Sequence, residues 1–303
     1  SFREAMRGYG ARAAAKLRTD MDLSPTVLIV GIVAMIVLMV LLPQIPVGWL
    51  GALLIAVFGF FFVTVSSRLV GMVGSSSNPV SGMTIATVLL AAIVMRATGW
   101  SGMTGMVAAL AVGAVVCTAA AIAGDTSQDL KTGYLVGATP WRQQVGELIG
   151  VVASASVIGF TLIILNEAWG FGSAEVPAPQ ATLMKMIIEG VFSANLPWIL
   201  VILGIVFAVV LEILQIPILP VAIGLYLPIH LSTPIMVGGL IRGILERVTR
   251  KKPEEQKEKI EVGVLYSSGL IAGEAIMGLI LALLAYLGIK VALFEEPLWS
   301  SWG

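Results

Sequence analysis

Ser75-Ser76-Ser77-Asn78-Pro79-Val80-Ser81-Gly82-Met83-Thr84 is a polar island in an apolar region of the chain. A second island of the same grammar reads His230-Leu231-Ser232-Thr233-Pro234-Ile235-Met236-Val237-Gly238-Gly239. Each places a good N-cap residue, Asn78 or Thr233, directly before proline, the preferred first residue of a helix. Each therefore predicts a helix that starts within the membrane rather than at its edge. Polar, irregular backbone at that depth is tolerated where it is buried in protein or lines a watery cavity. Broken helices at corresponding places in a polytopic chain point to a transport site.

Composition supports a membrane setting. The 303 residues are 58% hydrophobic and 12% charged, with a mean hydropathy of +0.98. Soluble domains carry about 25% charged residues. The apolar runs are too long for barrel strands, so the fold class is all-α, a polytopic transmembrane helical bundle. About seven full spans are expected, near residues 25–42, 47–66, 79–95, 103–123, 145–165, 197–214 and 262–287. Residues 216–245, interrupted by four prolines, add broken or re-entrant half-helices. Residues 1–22 read as a cytoplasmic loop or linker, 23–289 as the transmembrane domain and 290–303 as a C-terminal tail. Residues 124–144 and 246–261 read as polar loops. The tryptophans, Trp49, Trp100, Trp141, Trp169, Trp198, Trp299 and Trp302, all fall at span ends or in tails, as an aromatic belt requires.

Lys and Arg set the orientation. Residues 1–22, the stretch with Lys131 and Arg142, and residues 242–259 are all placed on the cytoplasmic side. Net charge is zero, so nothing in the balance favours nucleic acid. The single cysteine, Cys117, lies in an apolar run and reads as a packing residue. No zinc spacing, Walker loop, nucleophile elbow or dinucleotide fingerprint is present, so neither cofactor nor resident metal is expected and the chain is not read as an enzyme.

Each candidate site has a functional and a structural reading. Asn78, Ser81 and Thr84 could offer polar groups to a solute at a helix start, or could satisfy a kink. His230, the single histidine, could relay protons or serve as a structural hydrogen bonder. Asp125 and Asp129, four apart, could steer a cation or cap a loop. Glu274 lies near the middle of the last span, where a carboxylate is costly unless paired or protonated. It is the candidate for proton coupling. Glu147 and Glu212 lie nearer span ends and rank below it.

Four segments together resemble the oligopeptide transporter (OPT) family, specifically its prokaryotic members. They are residues 76–84; Gly124-Asp125 with Gln128-Asp129-Leu130-Lys131-Thr132-Gly133-Tyr134 through Pro140; Gly224-Leu225-Tyr226-Leu227-Pro228 with Ser232-Thr233-Pro234; and Ser268-Gly269-Leu270-Ile271-Ala272-Gly273-Glu274-Ala275. The resemblance implies a proton-coupled secondary transporter of small peptides or of peptide-like metal chelates. It implies a parent about twice this length, of which this chain looks like the C-terminal half. Its expected partners are membrane lipid, the substrate, protons and the missing N-terminal half, with a homo-oligomer left open. The expected location is a bacterial or archaeal inner membrane. Asn78, Ser81, Thr84, Tyr226, Ser232 and Thr233 are the expected substrate-lining residues. A passive channel and a non-transporting subunit of a larger membrane complex are the alternatives.

Overall fold

A computed structural model describes residues 17–73, 78–173, 176–194, 197–227 and 229–289. The helices are α1 (Pro25–Leu41), α2 (Gly48–Val73), α3 (Val80–Ala97), α4 (Gly102–Val136), α5 (Pro140–Ala168), α6 (Pro179–Phe192), α7 (Trp198–Ile213), α8 (Ile218–Tyr226), α9 (Ile229–Val248) and α10 (Pro253–Tyr286). No strand occurs among the described residues. Among the described residues, six helices are long and apolar enough to cross a membrane: α1 with the residues from Arg18 that lead into it, α2 to α5, and α10. A seventh apolar helix, α7, has 16 residues. The chain is a polytopic helical bundle. Trp49, Trp141 and Trp198 sit in the first turns of α2, α5 and α7, and Trp100 lies between α3 and α4.

The chain forms two compact units. The first holds residues 1–153 and 180–210, the second residues 154–179 and 211–303. In the first unit α2, α3 and α4 pack together and α1 lies against α2. The core joins Val47 and Ile55 to Ala91, Ala92 and Met95 of α3 and to Ala108, Ala109, Val112 and Val116 of α4. Lipid gives no hydrophobic drive between helices, so close van der Waals approach must hold them. Small residues permit it: a Cβ on Gly113 would overlap Val88 Cγ2, and one on Gly105 would overlap the Phe192 ring.

Residues 17–24 are strapped to the corner between α4 and α5. Arg18 Nη2 donates to the Gly137 carbonyl at 2.7 Å, and the Trp141 amide donates to the Met21 carbonyl at 2.9 Å. The Leu23 amide donates to Gln144 Oε1 at 2.8 Å. The N-terminal approach and residues 137–144 thus share one side. Ser24 caps α1, its hydroxyl accepting from the Val27 amide at 3.3 Å.

Several local expectations change. Residues 124–136 are not loop: α4 runs unbroken for 35 residues and stops at Gly137, whose φ of 73° forms a left-handed cap. That helix is about 52 Å long, well beyond a hydrocarbon core of about 30 Å. Polar side chains mark where such a helix leaves lipid, not where it ends. The charged stretch 246–261 behaves alike, turning only at residues 249–252 before α10 begins at Pro253. Its charges pair along the helix, Lys259 with Glu255 at 2.8 Å and Lys257 with Glu261 at 4.0 Å. The break in residues 216–245 precedes Ile229, and Pro234 lies inside α9. Thr233 therefore caps nothing; its hydroxyl donates to the Ile229 carbonyl at 2.7 Å. The helix at Asn78-Pro79 begins one residue later, at Val80, and its 18 residues suffice for a full span. Within residues 166–196, α6 supplies a helix that residue pattern did not reveal. The side chains of Tyr226 and His230, together with residues 1–16, 74–77 and 290–303, lie outside the described residues.

Gly113→Ala should destabilise the first unit by about 1–3 kcal/mol through overpacking on fully buried Val88. Thermal unfolding in detergent checks this, and adding Val88→Ala should recover most of the loss.

Candidate functional site

The polar groups of the first unit gather where α2, the start of α3 and the middle of α4 meet. Ser66 on α2 is fully buried and donates to the Ala120 carbonyl of α4. Asn78 does not cap α3. Its Nδ2 donates instead to Ser66 Oγ at 2.8 Å, and α3 has no side-chain cap. The reason is steric as much as polar: Gly124 leaves the space that the Asn78 amide fills. A Cβ on Gly124 would lie 2.6 Å from Asn78 Nδ2 and 2.9 Å from Val70 Cγ2. One residue along α2, Ser67 Oγ meets Ser127 Oγ of α4 at 2.6 Å. Asn78 Oδ1 is buried with no partner among the described residues.

Ser81 and Thr84 follow on the first turns of α3, both half-buried. Ser81 Oγ accepts from Gln180 Nε2 at 3.4 Å, and Thr84 Oγ donates to the Val80 carbonyl at 2.8 Å. Thr84 thus spends its proton on its own helix, and its hydroxyl keeps lone pairs with which to accept. Ser81 and Thr84 can present two hydroxyls to a polar solute, while the Asn78 amide oxygen is buried. The arrangement holds no group built for covalent chemistry.

Ser232, Thr233 and Glu274 belong to the second unit. Ser232 is half-buried and Thr233 exposed on α9. Glu274 is exposed on α10 and makes no hydrogen bond or ion pair among the described residues. It lies 12 residues before Tyr286, about 18 Å along the helix. Asp125 and Asp129 share a face of α4, as four-residue spacing on a helix requires, and both are exposed. No group of three or more His, Cys, Asp or Glu side chains fit to hold a metal occurs among the described residues. A cavity of about 440 Å³, lined by Ile93, Arg96, Val191 and Trp198, lies at the opposite end of α3 from Asn78.

Sequence reading did not single out Ser66, Ser67, Gly124, Thr126 or Ser127 as a contact set. It also undervalued Glu147 on α5, which is half-buried and whose Oε2 accepts from Thr126 Oγ at 2.7 Å. The adjacent serines closing an apolar run were the available signal. Ser66→Ala should cost about 1–3 kcal/mol, since it strips the buried Asn78 amide of its acceptor. Gly124→Ala should also destabilise, by forcing that amide away. Melting temperatures of the two variants against Ser67→Ala, a less buried control, check both.

Comparison with known proteins gives these residues a family. The family described as "OPT oligopeptide transporter protein" matches residues 1–285. A Haemophilus influenzae protein named "Putative oligopeptide transporter" is 35% identical, over 95% of this chain and 53% of its own length. The Arabidopsis thaliana "Probable metal-nicotianamine transporter YSL5" is 31% identical over 63% of this chain and 29% of its own. The Saccharomyces cerevisiae "Putative oligopeptide transporter YGL114W" is 28% identical over 67% and 29%. No solved structure matches the chain. The chain spans about half the length of the first relative and under a third of the other two. With all but its last residues matched, it belongs to the OPT oligopeptide transporter family.

Proposed function

We propose that this chain forms part of a proton-coupled secondary transporter that moves small peptides or peptide-like metal chelates across a cell membrane. Membership of the OPT family carries the reading. Relatives named for oligopeptides and for metal-nicotianamine supply the two substrate classes. Both classes present carboxylates, amines and amide groups, which hydroxyl and amide side chains can bind. On this reading Asn78, Ser81, Thr84, Tyr226, Ser232 and Thr233 line the route.

Glu274 carries the coupling proton in this scheme. It lies near the middle of the apolar part of α10, where an ionised carboxyl is costly, so loading and unloading a proton can be tied to movement. The remaining sequence of the full-length protein completes the route. The side marked by Arg18, Lys131 and Arg142 is cytoplasmic by the positive-inside rule.

Uptake into proteoliposomes by the full-length protein tests this. A pool of small peptides and of iron and nickel chelates is offered with and without an inward proton gradient, and the lumen is read by mass spectrometry. One class should concentrate above the outside level only with the gradient. Equilibration without concentration would instead mean a channel, and no entry a non-transporting subunit. Glu274→Gln should abolish gradient-driven concentration while leaving exchange of substrate across the membrane.

A further inference from the structure

Among the described residues, three buried side-chain atoms have no hydrogen-bond partner: Asn78 Oδ1, Gln143 Oε1 and Glu147 Oε1. All three are oxygens that accept, and none is a donor. Buried polar groups are nearly always satisfied, so a surplus of lone pairs calls for a proton or cation. Two of the three lie on one face of α5, because Gln143 and Glu147 are four residues apart. Both turn toward α4. Gln143 Nε2 donates to the Asp129 carbonyl at 3.1 Å, beside Gly133, where no side chain would fit. Thr126 Oγ donates to Glu147 Oε2 at 2.7 Å. The carboxyl is thus held at one oxygen and bare at the other.

No cation pairs with Glu147 among the described residues. On α4, Asp125, Asp129 and Lys131 are exposed. On α5, Arg142 is exposed and lies over the Trp141 ring at 5.4 Å. In the 17–24 strap, Arg18 is spent on Gly137 and Thr139, and Asp22 accepts from Gln144. An ionised Glu147 would leave a buried oxygen bare, a costly arrangement. A proton on Oε1 removes the charge and converts the orphan acceptor into a donor. Gln143 Oε1, one helical turn away, is an unused acceptor for it.

We propose that Glu147 is a proton-binding carboxyl of the first unit, positioned by Thr126 and Gln143 and distinct from Glu274. The inference rests on the transport reading only for what its proton does, namely load from the side shared by the 17–24 strap. The test is infrared difference spectroscopy of the full-length protein in lipid, titrated from acid to alkaline pH. Glu147→Gln should delete one titrating protonated-carboxyl band. Thr126→Val should raise that band's frequency, because the carboxyl's carbonyl oxygen loses its hydrogen bond. Glu147→Gln should leave the melting temperature at neutral pH unchanged or raised, since its amide supplies the missing donor. An identical spectrum for Glu147→Gln, or a fall in its melting temperature, would overturn the proposal. A midpoint that follows sodium rather than proton concentration would overturn it in favour of a bound cation. Failure of proton-driven uptake leaves the band in place, so the two readings fail separately.

Discussion

Close approach along α4 is the constraint on which the first unit depends. In lipid, helices gain little from hiding apolar surface, and contact must come from fit. Ala108, Ala109 and Ala120 are fully buried, and Gly105, Gly113 and Gly124 each lie against a neighbour that leaves no room for a methyl group. This fit does more than hold helices. It brings the Ala120 carbonyl within reach of Ser66, and so fixes the chain from Ala120 through Ser66 to Asn78. A polar cluster that would be costly alone becomes affordable because each donor meets its acceptor.

The cluster has a consequence for the start of α3. Asn78 is turned away from the helix it precedes and into the bundle, so the first turn of α3 has no side-chain cap. Of its first amides, Val80 donates to the Asn78 carbonyl at 2.8 Å and Met83 to the Pro79 carbonyl at 3.3 Å, which leaves those of Ser81 and Gly82 uncapped. Ser81 and Thr84 stand on the same turns. Binding a solute there would exploit a helix end that the protein leaves unfinished while anchoring the residue before it.

The spans were legible because charge-free apolar runs have few readings. Pro25 after Ser24 marked the start of α1, and Ser24 caps it as expected. Helix ends were less legible, for a physical reason. Hydropathy reports where a helix leaves lipid, whereas α4 and α10 continue as polar helices beyond that point, α10 with ion pairs along it. Thr233-Pro234 had the spelling of a helix start, but Pro234 lies in the second turn of α9, where the Thr233 hydroxyl bonds back to Ile229 instead of capping. Residue types at the candidate site were visible in sequence; their partners were not. Nothing in Ser66, Gly124 or Glu147 taken singly announces that Asn78 bonds to Ser66 and fills the space over Gly124, or that Thr126 bonds to Glu147.

The central functional claim is that the polar start of α3 faces the substrate. Cysteine accessibility at Ser81 tests it most directly, in a background cleared of native cysteines, Cys117→Ala among the changes. The rate of modification of Ser81→Cys by a small, charged thiol reagent is measured in the full-length protein with and without a saturating transported solute. The account predicts modification in the absence of solute and marked slowing in its presence. Equal rates with and without solute, at a position that reacts readily, would contradict it.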